Sequence, residues 1–176
     1  MSTSKHRLLT LSALGLAALA LGAAPSFAQA PPASPPPPLP PYGAPMTLDT
    51  AKKAMAAAEA EAKKNNWSVA IAILDTTGTL VLFQKLDNTS NLPVAIAQGK
   101  ARTALDTRRP TKTLQDAIAG GGAGLRVLGI RDATPLEGGV PVIVDGKVVG
   151  AIGTSGVLSD QDAQVSKAGA DAAAAK

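Results

Sequence analysis

The chain has no cysteine, a single histidine and very few aromatic residues, 2% of 176. Each shortage removes a class of chemistry. Without cysteine there is no disulfide framework, thiol nucleophile, cysteine-ligated zinc or iron–sulfur cluster. The lone histidine is His6, near the N-terminus. Lys5, His6 and Arg7 form a short positive region, Leu8 to Ala24 is apolar, and Ser26-Phe27-Ala28 places small residues before Gln29. Residues 1–28 are therefore read as a secretory signal peptide, which sends the protein to a periplasmic or secreted location. No cysteine follows the apolar region, which excludes a lipoprotein. No Arg-Arg pair precedes it, so it fits the general secretory route. Cleavage after Ala28 removes His6, leaves no stable membrane anchor and lowers the formal charge from +4 to +2. The mature chain then has no histidine for proton transfer or for ligation of a metal or haem. No conventional enzymatic site is expected.

What the chain has in excess is proline, then alanine and glycine. Residues 31–45 hold nine prolines, a run that enters neither a helix nor a central strand and favours an extended polyproline conformation. Residues 29–45 are read as a stiff linker, and 46–176 as the folded domain.

Within the domain, Thr47 can cap a helix from Leu48 to about Lys64, in which Leu48, Ala51, Met55, Ala58 and Ala62 recur at helical spacing. Val69 to Leu74, the turn Asp75-Thr76-Thr77-Gly78, and Thr79 to Leu86 read as a β-hairpin. Asn91, with Pro93 in the first turn, opens a second helix to about Asp106. Pro110 breaks the chain, and Thr111 can cap a short helix to about Ala119. Gly120 to Gly124 is a flexible connection, and Leu125 to Ile130 is read as a short strand. Val140–Val144 and Lys147–Ile152 around Asp145-Gly146 specify a tight hairpin. Ser159 opens the last helix, with Asp162 as its capping-box partner. The order α-β-β-α-α-(β)-β-β-α is an α+β fold with helices packed on an antiparallel sheet.

Two motifs are set aside. Gly120–Gly124 lacks the Gly-Lys-Ser/Thr ending of a phosphate loop. Gly153-Thr154-Ser155-Gly156-Val157 lacks the second glycine of a nucleophile elbow, and no histidine is present to act as its base. Carboxylate metal ligands are available but unclustered, and no segment resembles a calcium loop. Lys100, Arg102, Arg108, Arg109 and Lys112 concentrate positive charge around one acid, Asp106. They form either a solvated helix face or a site for a small anionic ligand, such as a 2-hydroxy acid, beside the start of the Thr111 helix. Nucleic acid does not fit, because the charge is modest and stacking aromatics are nearly absent.

The segment Gly138-Gly139-Val140-Pro141-Val142-Ile143-Val144-Asp145-Gly146-Lys147-Val148-Val149-Gly150-Ala151-Ile152-Gly153-Thr154-Ser155-Gly156 resembles the signature of the GlcG/HbpS-like haem-binding proteins. Lys100-Ala101-Arg102-Thr103-Ala104, then Arg109-Pro110-Thr111, and Gln161-Asp162 are similar to further motifs of that family, in order. The resemblance spans essentially 46–176. It implies a profilin-like domain that often forms homo-oligomers, and haem as the cofactor, held for sequestration or sensing. It also implies ligation of haem iron by a threonine hydroxyl, Thr111 with Thr103 as the fallback, and pairing of the propionates with Arg108, Arg109 and Lys112. An N-cap is the competing role for Thr111. Two departures stand out. The chain has no Asp/Glu-x-x-Glu pair, through which some members bind ferric ion. Tyr42, Trp67 and Phe83 are the only aromatics after residue 28, so a haem pocket here is expected to be aliphatic. A small-carboxylate accessory protein and a purely structural oligomeric module are the alternatives.

Overall fold

The computed structural model describes residues 37–175. The proposed signal peptide and the first part of the proline-rich segment lie outside the described residues. Helix α1 spans Leu48–Lys64, and the Thr47 hydroxyl caps it by accepting from Thr50 N at 3.2 Å. Strands β1 (Ala70–Asp75) and β2 (Leu80–Lys85) follow as a hairpin. The Asp75 carboxylate organises their turn, accepting from Thr77 N, Thr77 Oγ1 and Thr79 N. Helix α2 (Leu92–Thr107) and short α3 (Lys112–Ala119) precede a 3₁₀ helix at Gly122–Gly129. Strands β3 (Gly139–Val144) and β4 (Lys147–Ser155) form the second hairpin, and α4 (Ser159–Ala174) ends the domain. At the second turn Asp145 and Gly146 have φ of 48° and 75°, the paired left-handed conformations of a type I′ hairpin.

The sheet is antiparallel throughout, in the order β2-β1-β4-β3, so the outer hairpin strands flank β1 and β4. Period-two alternation divides β1 between two cores. Val69, Ile71 and Ile73 face α1 and α4, together with Ile152, Val165 and a set of alanines. Ala70, Ala72 and Leu74 face α2, against Ala97, Ala101, Ala104 and Leu105. Small residues make the second layer thin. At Gly153 on β4, a Cβ would lie 2.2 Å from Ala97 O and 2.5 Å from Ala101 N, so α2 sits almost on the strand backbone.

Three local expectations change. Leu125–Ile130 is not a strand but part of the 3₁₀ helix and its end, and none of that helix's residues is buried. The segment closes hydrogen bonds locally, as Ile130 N does with Val127 O, and joins no strand of the sheet. Thr111 occupies the N-cap position of α3 with helical dihedrals, but its side chain makes no cap. Asp162 is not the capping-box partner. Gln161 Oε1 instead accepts from Leu158 N at 3.3 Å.

Residues 40–45, read as part of the linker, are bound to the domain together with Met46. Val148 N donates to Pro41 O, Gly43 N to Val148 O and Met46 N to Val149 O. Tyr42 bridges Val148 in parallel, where β1 has already ended opposite Gly150. The segment thus continues the column of the sheet that β1 leaves vacant, which satisfies β4 backbone groups.

Candidate functional site

Lys100 lies on α2 in register with Ala97, Ala101 and Ala104, on the helix face that packs against the sheet. Its side chain is therefore carried inward and is only 2% exposed. The ammonium donates to Asp162 Oδ2 at 2.7 Å and to Thr154 O at 3.0 Å. Asp162 reaches it from the first turn of α4, and its other oxygen accepts from Val157 N at 3.2 Å. Burial pushes the Lys100 ammonium below its ordinary value and the Asp162 carboxyl above its own, while each partner opposes the shift of the other. The pair thus owes its charged state to mutual contact in a place that disfavours either charge alone.

The chain at Gly138-Gly139 crosses directly over this pair. A Cβ at Gly138 would stand 2.7 Å from Lys100 Nζ and 2.8 Å from Thr154 O, and one at Gly139 would stand 2.3 Å from Lys100 O. Every neighbouring polar group is engaged. Gly138 O accepts from Ser166 Oγ at 2.7 Å and from Thr154 N at 3.0 Å. Ser166 Oγ also lies 2.8 Å from Thr154 Oγ1. Thr111 meets Gly139 from the outer side: its N donates to Gly139 O at 3.0 Å, and its Oγ1 accepts from Gly139 N at 2.9 Å. Thr111 is fully buried. It occupies the free edge of β3, and two residues on, Pro141 offers no N–H, so the start of that edge cannot pair with another strand.

Above the two glycines lies a groove of about 390 Å³ between the start of α3, β3 and α4. Pro110, Val140, Pro141, Ile143, Ala163 and Ala170 give it aliphatic walls. Two lysines and two acids also line it, Lys112 and Lys167 with Glu137 and Asp171; the exposed ammonium groups of Lys112 and Lys167 pair with Asp116 and Asp171, one helical turn on. A second cleft of about 400 Å³ has a mixed lining, with Arg102, Thr103, Asp106, Arg131 and Asp132 beside Leu114 and Ile130.

The structure does not bring the seven residues of the basic and threonine motifs together. Lys100 and Thr111 belong to the buried network. Thr103 is buried, and its hydroxyl accepts from Thr134 N at 2.8 Å. Arg102 pairs with Asp106 at 2.8 Å on the exposed side of α2. Arg108 ends α2 in the left-handed region, lies over the Tyr42 ring and donates to Pro40 O at 3.1 Å, so it clamps the N-terminal segment. Arg109 is half-buried beside it. Only Lys112 faces the groove. One anion cannot reach all five cations, because α2 turns successive residues by about 100° and the left-handed bend at Arg108 redirects the chain. Among the described residues there is no cluster of three acidic or histidine side chains able to hold a metal ion, and no helix is long and apolar enough to cross a membrane.

Asp162, Ser166, Thr154 and Lys167 were not singled out by the sequence as site residues, although a signal existed. Asp162, Val165, Ser166, Gly169, Ala170 and Ala173 fall on one buried helical stripe. Polar residues inside such a stripe require buried partners.

A small sheet layered between helices, with an aliphatic groove at its β3 edge and glycines packed on a buried Lys–Asp pair, defines the class. Residues 46–171 match the family described as Haem degrading protein HbpS-like, and the chain belongs to that family. It is similar to Protein GlcG of Escherichia coli K12, 44% identical over 110 residues that cover 62% of this chain and 81% of that protein. Among solved structures it is similar to a double mutant of Streptomyces reticuli HbpS, with 30% identity, a TM-score of 0.67, and coverage of 80% of this chain and 97% of the other. It shares its fold with PduOC, which was solved as a haem complex, at 23% identity and a TM-score of 0.66, covering 73% and 94% of the two chains.

Proposed function

We propose that this protein is exported and binds haem, holding the porphyrin in the aliphatic groove at the β3 edge for sequestration or sensing. The observation that carries the reading is the predominantly apolar wall of the groove, with Lys112 and Lys167 at its rim beside Glu137 and Asp171, in a chain of the HbpS-like family. Val140, Pro141, Ile143 and Ala170 would take the ring out of water, each contributing in proportion to the apolar area it covers. Lys112 and Lys167 would exchange Asp116 and Asp171 for the propionates, at small cost because exposed ion pairs are weak. Bound haem supplies a redox-active iron with an exchangeable coordination position. The donor set around the groove offers no histidine, cysteine or tyrosine, so affinity rests on burial and propionate pairing. Ligation by Thr111, or by Thr103, would first require its hydroxyl to give up the hydrogen bond from Gly139 N or Thr134 N. Gln29 would be the first residue after export. The exposed Leu125, Leu128 and Ile130 are proposed as the contact with a second copy of the chain.

Titration of the purified protein with haemin tests the reading. A saturable shift of the Soret band is expected, and Lys112→Glu with Lys167→Glu should weaken binding by about tenfold, near 1.4 kcal/mol. No shift at micromolar haemin overturns the haem assignment. Thermal stabilisation by 2-hydroxy acids but not by haemin would instead favour the second cleft, at Arg102, Thr103 and Arg131.

A further inference from the structure

We propose that Thr111, Ser166 and the Lys100–Asp162 pair are positioning residues, which hold the Gly138-Gly139 floor of the groove at fixed depth and touch no ligand themselves. The inference deepens the groove reading above and rests on it. Gly138 and Gly139 line the groove, whereas Lys100, Thr111, Asp162 and Ser166 do not. All four are buried, and each is tied to that floor or to one of its walls. Thr111 joins α3, whose neighbours Pro110 and Lys112 line one side, to both backbone groups of Gly139. Ser166 joins α4, whose Ala163 and Ala170 line the other side, to Gly138 O. Lys100 and Asp162 fix the first turn of α4 to the end of β4 through Thr154 O and Val157 N.

Floor and both walls are therefore held by one hydrogen-bonded network. The two glycines leave no room between themselves and the pair, as the distances from a Cβ to Lys100 and Asp162 show. A glycine floor has no side chain of its own to anchor it, and glycine backbone is the most free to move. Its position is therefore set by backbone bonds to β4 on one side and by these side-chain partners on the other. Binding geometry of this kind depends on the groups behind the contact surface as much as on the surface itself.

The test combines amide exchange, haemin titration and thermal unfolding on the intact protein. Thr111→Val keeps shape and removes the hydroxyl, and Ser166→Ala removes the donor to Gly138. Each variant should speed exchange of the Gly139 amide by about tenfold while leaving Ile71 and Ile73 unchanged. Each should also weaken haemin binding by about five- to tenfold, the change expected on losing one buried hydrogen bond. The haem-saturated absorption spectrum should remain that of the wild type, because no ligand to iron has been removed. Thr111→Ser, which restores the hydroxyl, should return exchange and affinity together. A variant with faster floor exchange but wild-type affinity would sink the proposal, since it would make the network structural only. A changed saturated spectrum in Thr111→Val would overturn it in favour of direct ligation. If the wild type binds no haemin, the groove reading fails. The exchange data then decide separately whether the network holds the floor, and unchanged Gly139 exchange in both variants would overturn that as well.

Discussion

At the residue scale, the charges that decide most are those removed from water. Lys100 and Asp162 are buried together, so removing one leaves the other charged or forces it to neutralise at a cost. Lys100→Met should destabilise the domain by about 3–5 kcal/mol in chemical denaturation, and Lys100→Met with Asp162→Asn should lose less than Lys100→Met alone. Asp75 behaves in the opposite sense. Burial pushes its carboxyl up, but hydrogen bonds from Thr77 and Thr79 outweigh this and hold it below the ordinary value. A depressed folded-state value contributes stability above the unfolded value, about pH 4, and loses it as pH falls through the folded one. Asp75→Ala should therefore lower the melting temperature at neutral pH. The gap to wild type should narrow below about pH 4, as thermal melts across pH would show.

At the element scale, helix starts separate local from tertiary control. Thr47 caps α1 as its sequence suggests, because the bond to Thr50 N needs only the geometry of one turn. Thr47→Ala should cost about 1 kcal/mol in denaturant melts. Thr111 stands at the same position of α3, but Gly139 on a distant strand takes its hydroxyl instead. Asp162 is divided in the same way, one oxygen accepting from Val157 N just before its own helix and the other from Lys100 on α2. Close packing of α2 on the sheet depends on the missing side chain at Gly153, where the obstructing atoms are helix backbone and cannot swing away. Gly153→Ala should therefore lower stability by about 3 kcal/mol.

At the scale of the whole molecule, a thin alanine-rich layer and few aromatics leave a domain with modest apolar burial and several exposed leucines and isoleucines. Light scattering should report more than one chain per particle. Leu125→Lys with Leu128→Lys should return it to a monomer if the 3₁₀ segment is the contact. Charge on an apolar contact loses burial and adds an unpaired desolvated group.

Much of the architecture was legible in the sequence. Residue spacing marks α1, both hairpins and α2 to within a residue or two, because turns and amphipathic stripes are local, except that β4 runs three residues past the expected Ile152 to Ser155. The family was legible too, since its motifs are short and occur in order. The β-strand reading of Leu125–Ile130 failed because a short apolar run does not by itself separate a strand from a helical turn. The site was the least legible part. Five cations close in sequence looked like one anion-binding cluster, yet they divide among a buried ion pair, a surface pair, a clamp on Tyr42, a half-buried arginine and a groove rim.

The sequence by itself determined the antiparallel α+β order, the absence of histidine and thiol chemistry after residue 28, and the membership of a family. These depend on composition and on contacts between near neighbours. Only the tertiary structure decided that Lys100 and Asp162 meet each other beneath a glycine floor and that Thr111 holds that floor from the outer side. Their partners lie 28 or 62 residues away along the chain, and no local rule states which of two available partners a buried polar group will meet.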